Sequence, residues 1–425
     1  MALFSACANE ETGGCPTLEV CDVRSASCQK HALTVAACLR DVDLPAAPIE
    51  TVVLEPTAYT EAFVGEIDPE HAQLEPAEVA LRRALALFSV SSPPVDRRSD
   101  WTAQATGTIG FYDRETNRIT LRGDQVKSGN GENAILLLVH EMTHALQAAE
   151  GAFTPRPEID NADASLARRA ITEGDARLTE MRAYVPMVGR TDENVSWLGW
   201  FANMAAAYAA LARESSDLYR DRAMLFPYLH GAKFLRSIYE SEGMPGVLSL
   251  VRGPSPLTTR QILDQSEGGA ALQPGPRARD LLVASLPEPW KLSSVSHFGA
   301  WFVRQTLERR NLHLSASEVV RDALTVHAAP AAGSTAPALA VFWRIELTSE
   351  SGARTLAESA RRLGGFASHE GSTLVLAAVT DPEMGSPPTP TWVAQTQPDL
   401  YFEPEAAAAP RHHACAHPRA VHGSR

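Results

Sequence analysis

Apolar and polar positions divide the chain into stretches of helical and of strand period. Residues 75–89, EPAEVALRRALALFS, form an amphipathic helical pattern entered at Pro76 and stopped by Ser91-Ser92-Pro93-Pro94. Thr108–Asp113 and Arg118–Arg122 alternate around Arg114–Asn117, which predicts a β-hairpin. Ala134–Val139 is apolar on every side, as a buried helix is, and it belongs to the stretch Leu136–Gln147, LLLVHEMTHALQ. A second helix is predicted over 164–185, with apolar or small residues at Ile171, Gly174, Leu178, Met181 and Val185. An Ala-rich helix over 197–213 opens on Trp197, Trp200 and Phe201, which read as core. Another covers 226–241 with Pro227 in its first turn, and Thr258–Leu263 begins a further one.

After Pro289 the pattern changes. Phe298–Arg309 and Ser351–Leu363 read as helices, and Asp322–His327, Ala340–Leu347 and Ser372–Val379 as strands. That order predicts a small α+β unit, an antiparallel sheet with a helix on one face. The expected fold class is therefore α+β and mainly helical. The expected division is a Cys-rich segment over 1–42, a main domain over 43–295, the small unit over 296–385 and a disordered tail over 386–425.

Chemistry concentrates at His140-Glu141-x-x-His144. Residues four apart share one face of a helix, so both imidazoles can reach a single ion. Glu141 lies about 100° round, placed to touch a water on that ion without ligating it. Unpaired buried polar groups cost several kcal/mol, and a metal would compensate them. The plainer alternative is a helix whose histidines only satisfy backbone carbonyls. Glu173 stands mid-helix beside Ala170, Gly174 and Ala176, small neighbours that let another helix approach. Two histidines, a glutamate and one open position are the ligand set of a catalytic zinc site. The competing role for Glu173 is pairing with Arg169 or Arg177 at helical spacing.

HEMTHALQ followed by ITEGDARL resembles bacterial zinc metallopeptidases of the HExxH…EGxA type, within the broader thermolysin-like (gluzincin) group. The likeness extends to GFYDRETNRITLRGD at 110–124, FPYLHGAKFL at 226–235 and PSPLTTRQIL at 254–263, within roughly 59–380. It implies a zincin-like core, one Zn2+ held by His140, His144 and Glu173, and Glu141 as general base. Many gluzincins carry an aspartate four residues after the third ligand to orient the first histidine. Here that position is Arg177, which leaves Asp175 as the candidate. In zincin-like folds a strand before the metal helix can accept an extended peptide, and the hairpin is placed to do so or simply to cover the core. Tyr228, and after it His230, are candidate oxyanion donors, and Gly231 beside them permits close approach to the HExxH helix.

Composition narrows the compartment and the partners. The chain has 425 residues, 44% hydrophobic content and a net charge of −13, with no long basic run. Nucleic acid and anionic membrane surfaces are thus poor partners, and no apolar run has transmembrane length. Five of the six cysteines, Cys7, Cys15, Cys21, Cys28 and Cys38, fall within the first forty residues without a C-x-x-C pair. The last four fit two disulfides around a small helical segment, with three connectivities open. Cys7 after Phe4-Ser5-Ala6 has the look of a lipoprotein signal tail, with a lipid anchor at Cys7. This predicts a cell-envelope or secreted protein, the alternative being a cytoplasmic one with free thiols. The cluster His412-His413-x-Cys415-x-His417 is assigned to the disordered tail.

The function expected from all this is hydrolysis of peptide or protein substrates by a zinc-activated water and a glutamate base. The rival readings are a metal-binding but non-catalytic envelope lipoprotein of the same fold, and a helical protein without metal.

Overall fold

A computed structural model describes residues 14–65, 74–92, 96–127, 131–153, 162–253, 258–266, 281–314, 318–331, 336–363, 365–380 and 386–395. Cys7 and the His412–His417 cluster lie outside these residues.

Helix α1 (Ala26–Arg40) begins at Ser25, whose hydroxyl accepts from the Cys28 amide, and ends at Asp41 in the left-handed conformation. Disulfides Cys15–Cys38 and Cys21–Cys28 staple it, so one of the three open connectivities is realised. Strand β1 (Glu50–Leu54) follows, then α2 (Pro56–Val64), α3 (Pro76–Leu87) and α4 (Arg97–Gly107). The expected hairpin is present as β2 (Gly110–Asp113) and β3 (Arg118–Arg122). β1 pairs with β3 in parallel, so the sheet order is β1-β3-β2 with β2 at an edge. A short α5 (Gly123–Lys127) leads into α6 (Gly131–Ala149), the HExxH helix, and then α7 (Ala162–Met187), which carries Glu173.

α8 (Trp197–Glu214) and α9 (Leu218–Leu225) follow, and a π-helical turn, Pro227–Gly231, precedes α10 (Ala232–Arg252). The single helix expected over 226–241 is thus a π turn joined to an α-helix that kinks at Gly243, where φ is +68°. Proline at the start removes one amide donor at this junction. After α11 (Thr259–Ser266) come β4 (Leu281–Ser285), β5 (Lys291–Ser296), α12 (Gly299–Arg309), β6 (Val319–Ala329) and β7 (Ala338–Leu347). The order closes with α13 (Glu350–Arg362), β8 (Phe366–Glu370), β9 (Thr373–Val379) and β10 (Thr391–Gln395).

The fold is α+β, with a five-stranded sheet of order β5-β6-β7-β9-β8, antiparallel at every pairing. The sheet begins at Lys291, before the expected boundary at 296. Residues 391–395, assigned from composition to a disordered tail, instead pair as β10 with β4. Backbone pairing and the contact of Trp392 with Phe342 hold this strand where local composition alone signals none.

Two hydrophobic clusters dominate. One joins α1, α6 and β3 through residues such as Val35, Leu121, Leu138 and Val139. The larger joins α3, α7, α10, α12 and α13 to the five-stranded sheet, with Phe88 packed edge-on against Trp343 at 5.4 Å. The C-terminal sheet therefore shares its core with α7, the helix that carries Glu173. Trp197, Trp200 and Phe201 pack with Met181, Met204 and Leu229 in a third cluster, as the sequence predicts.

Candidate metal centre

α6 and α7 run against each other, and the site forms between them. His140 and His144 sit one turn apart on α6, ring centroids 4.9 Å apart and nearly perpendicular. Glu173 Oε2 from α7 lies 3.4 Å from His140 Nε2 and 3.3 Å from His144 Nε2. Donor atoms of the three residues fall within 4.8 Å of one another. Two atoms each about 2.05 Å from a tetrahedral zinc stand about 3.3 Å apart. The two nitrogen–oxygen separations match that value, and the His, His, Glu donor set suits such a cation in its chemistry.

Unsatisfied atoms point the same way. Glu173 Oε2 and Glu141 Oε2 are buried and have no hydrogen-bond partner among the described residues. Burial opposes a charge on His140, yet Glu173, Glu180 and Glu141 outweigh it and raise its pKa to about 10. His144 is raised for the same reason, with Glu173 the main contributor against burial. Burial would lift Glu173, but His144, His140 and Arg169 hold it well below the usual carboxylate range. The protein groups thus create a pocket of negative potential that draws positive charge to the Nε2–Oε2 triangle. Arg169 also pairs with Glu173 Oε1 at 3.3 Å, so the competing helical pair exists beside the cluster without displacing Oε2 from it.

The imidazoles are held from behind. Glu180 Oε2 lies 3.4 Å from His140 Nδ1, and Arg177 pairs with the Glu180 carboxylate. Burial raises the Glu180 pKa, but Arg177 and His140 more than reverse this. Glu180 therefore fills the role that the resemblance left to Asp175, because it lies two turns beyond Glu173 on the same face of α7. Asp175 serves the other histidine. Its Oδ2 accepts from Gln147 Nε2 at 2.8 Å, and Gln147 Oε1 faces His144 Nδ1 at 2.9 Å. Sequence reasoning missed Glu180 and Gln147. Their signals were spacings, seven residues from Glu173 and three from His144.

Glu141 is buried on the adjoining face of α6, its pKa raised chiefly by desolvation. A Cβ built on Gly110 would stand 3.2 Å from Glu141 Oε1, so glycine at the start of β2 keeps room for that carboxylate. Tyr59 of α2, not anticipated from the sequence, is fully buried, and after burial the Glu141 charge is the main cause of its raised pKa.

Tyr228 and His230 part company. The Tyr228 ring stacks on His140 at 5.8 Å between centroids and 17° between planes. Burial, with Glu173 beside it, lifts its phenol well above the ordinary value. His230 stacks on Phe226 at 5.1 Å, and burial with Lys233 and Arg304 lowers its pKa to about 3. It is a packed neutral imidazole whose ring lies on Phe226, while Tyr228 stacks on His140. Two glycines bring Tyr228 in. A Cβ on Gly231 would collide with the Ala170 carbonyl, and one on Gly174 with the Gly231 backbone. Gly231 thus packs on the Glu173 helix, α7, whereas the sequence reading set it against the HExxH helix.

A cleft of about 1450 Å³ opens over the cluster, with His140, Glu141, His144, Glu173 and Tyr228 on its wall and β2 along one rim. Among the described residues no helix is long and apolar enough to cross a membrane. No model of a known protein family matches the sequence, and comparison with curated proteins and with solved structures likewise gives no significant match.

Proposed function

We propose that this protein is a zinc-dependent metallopeptidase that hydrolyses peptide bonds of substrates lying in the cleft beside β2. The observation that carries this reading is the convergence of His140 Nε2, His144 Nε2 and Glu173 Oε2, with the buried, unpartnered Oε2 of the neighbouring Glu141. A non-catalytic metal site has no need of a buried free carboxylate in that position, since leaving it unpaired costs stability. When bound, zinc supplies Lewis acidity, polarising a carbonyl and making water a better acid.

The chain's own groups divide the rest. Glu141 takes a proton from the attacking water and delivers it to the leaving amine nitrogen, and its raised pKa brings it nearer the range where both transfers are efficient. Tyr228, kept protonated by its buried position, donates its O–H toward the oxygen that becomes negative in the transition state. Glu180 and Gln147 hold the two Nδ1 atoms, which leaves each Nε2 lone pair free for the metal.

A cell-envelope or extracellular location is part of this proposal. Its support is the pair of disulfides in the N-terminal segment, since such bonds persist in oxidising compartments. The functional test is a digest of a peptide library by the purified protein, with and without a chelator, followed by readdition of zinc. Cleavage that disappears on chelation and returns with zinc is expected. A zinc-loaded protein that cuts nothing in the library removes the peptidase reading.

A further inference from the structure

We propose that the disulfide-stapled helix α1 is a working part of the metal centre: Arg40, acting through Asp175 and Gln147, positions His144 and so sets how tightly the site holds its metal. The inference rests on the zinc reading above and adds a residue outside the cleft to it. It begins from the Gln147 amide, which is fully buried on α6. Its Nε2 donates to the Thr172 carbonyl at 2.9 Å and to Asp175 Oδ2 at 2.8 Å. Both N–H bonds are thereby spent on acceptors, so the atom facing His144 Nδ1 at 2.9 Å must be the carbonyl Oε1. An acceptor at that point requires the proton on Nδ1, which leaves the lone pair on Nε2, the atom facing Glu173.

The orientation of Gln147 depends on Asp175 remaining an acceptor at its place, and Asp175 is itself wholly buried. Arg40 keeps it there. Its Nε donates to Asp175 Oδ2 at 3.0 Å, and its Nη2 lies 2.8 Å from the same oxygen and 2.8 Å from Glu150 Oε2. Arg40 is fully buried too, an unusual position for a guanidinium unless it is paired. It closes the last turn of α1, two residues after Cys38, so the Cys15–Cys38 bond fastens the end of the helix from which it projects. The path Arg40–Asp175–Gln147–His144 therefore joins the N-terminal segment to a metal ligand by contacts of 3.0 Å or less. Arg40 is a positioning residue, not a catalytic one.

The test uses the full chain, with zinc affinity measured by chelator competition and the cobalt-substituted protein examined by visible absorption. Arg40→Met keeps the stem and removes the charge, while Arg40→Lys keeps the charge but offers Asp175 a single nitrogen. Losing a direct outer partner of a metal ligand costs about 10–100-fold, and Arg40 stands two hydrogen bonds further back, so zinc affinity should fall by about 10-fold in Arg40→Met and less in Arg40→Lys. The cobalt bands should shift in the same order. Wild-type protein that binds zinc, alongside variants with unchanged affinity and cobalt spectrum, overturns this inference and leaves the zinc reading standing. Lower melting temperature of the metal-free variants with unaltered affinity is the mark of a purely structural arginine and overturns it as well. Should Arg40→Met fail to fold, Arg40→Lys decides alone: weaker binding with shifted bands supports the inference, and wild-type values refute it. Wild-type protein that takes up no zinc fails the underlying reading.

Discussion

Glu173 and Glu180 look into the same site from successive positions on one face of α7, one toward both Nε2 atoms and the other toward His140 Nδ1. The His140, His144 and Glu173 cluster with Glu141 beside it was legible because HExxH fixes a face and Glu173 stood among small residues. Glu180 was not, since one carboxylate in a helix rich in Arg and Glu reads as a surface pair until the helix's buried face is known. The roles at this scale separate by measurement. Glu141→Gln keeps the volume but cannot take a proton, so zinc content should be unchanged while turnover falls by about 10²-fold or more. Full activity in that variant excludes the mechanism. Tyr228→Phe should leave zinc content and Tm intact and lower kcat by roughly 10²–10³-fold, whereas His230→Ala should act on Tm, because its ring packs on Phe226 and not on the cluster. Equal kinetic effects of the two substitutions contradict this division.

Among the elements, the π turn at Pro227–Gly231 brings Tyr228 against the ligand helices, and its seat on α7 has no space for a Cβ. Gly231→Ala must push the turn from the Ala170 carbonyl. Its kcat should fall more steeply than its Tm, and kinetic assays beside a melting curve will show whether it does. The sequence exposed those elements whose apolar period is strong: α3, α6, α7, α8, the hairpin and the central strands of the large sheet. It hid α4, where Ala105 is the residue wholly buried and the polar run Arg97–Asp100 carries no period. The parallel partnership of β1 and β3 was hidden as well, because pairing between distant segments leaves no local trace. β10 escaped for the same reason, lying in a stretch whose Pro and Ala content signals disorder.

At the scale of the molecule, the junction of the helical region with the large sheet holds a buried acid. Asp163 Oδ1 accepts from the amide and hydroxyl of Thr259, at 2.9 and 2.6 Å, yet burial, with Asp322 nearby, raises its pKa to about 6. A carboxyl raised above its unfolded value favours the fold while protonated, so its stabilisation is complete below about pH 4 and is lost as pH rises through about 6. Asp163→Asn preserves the acceptor and should match wild type near pH 4 but exceed it at pH 7, by up to about 3 kcal/mol. Denaturant titrations at the two pH values check this, and a constant difference between them refutes it. The two large hydrophobic clusters meet at the candidate metal centre itself. His140 and His144 stand on α6 among residues of the smaller cluster, while Glu173 is flanked by Ala170 and Ile171 of the larger. A cation shared by these three side chains would act as a rivet across the seam, and its binding free energy would count toward the cooperativity of the whole chain. Stripped of zinc, the protein should lose that coupling and melt in two resolved calorimetric steps, the smaller cluster yielding first. Restored zinc should merge them into a single transition at higher temperature.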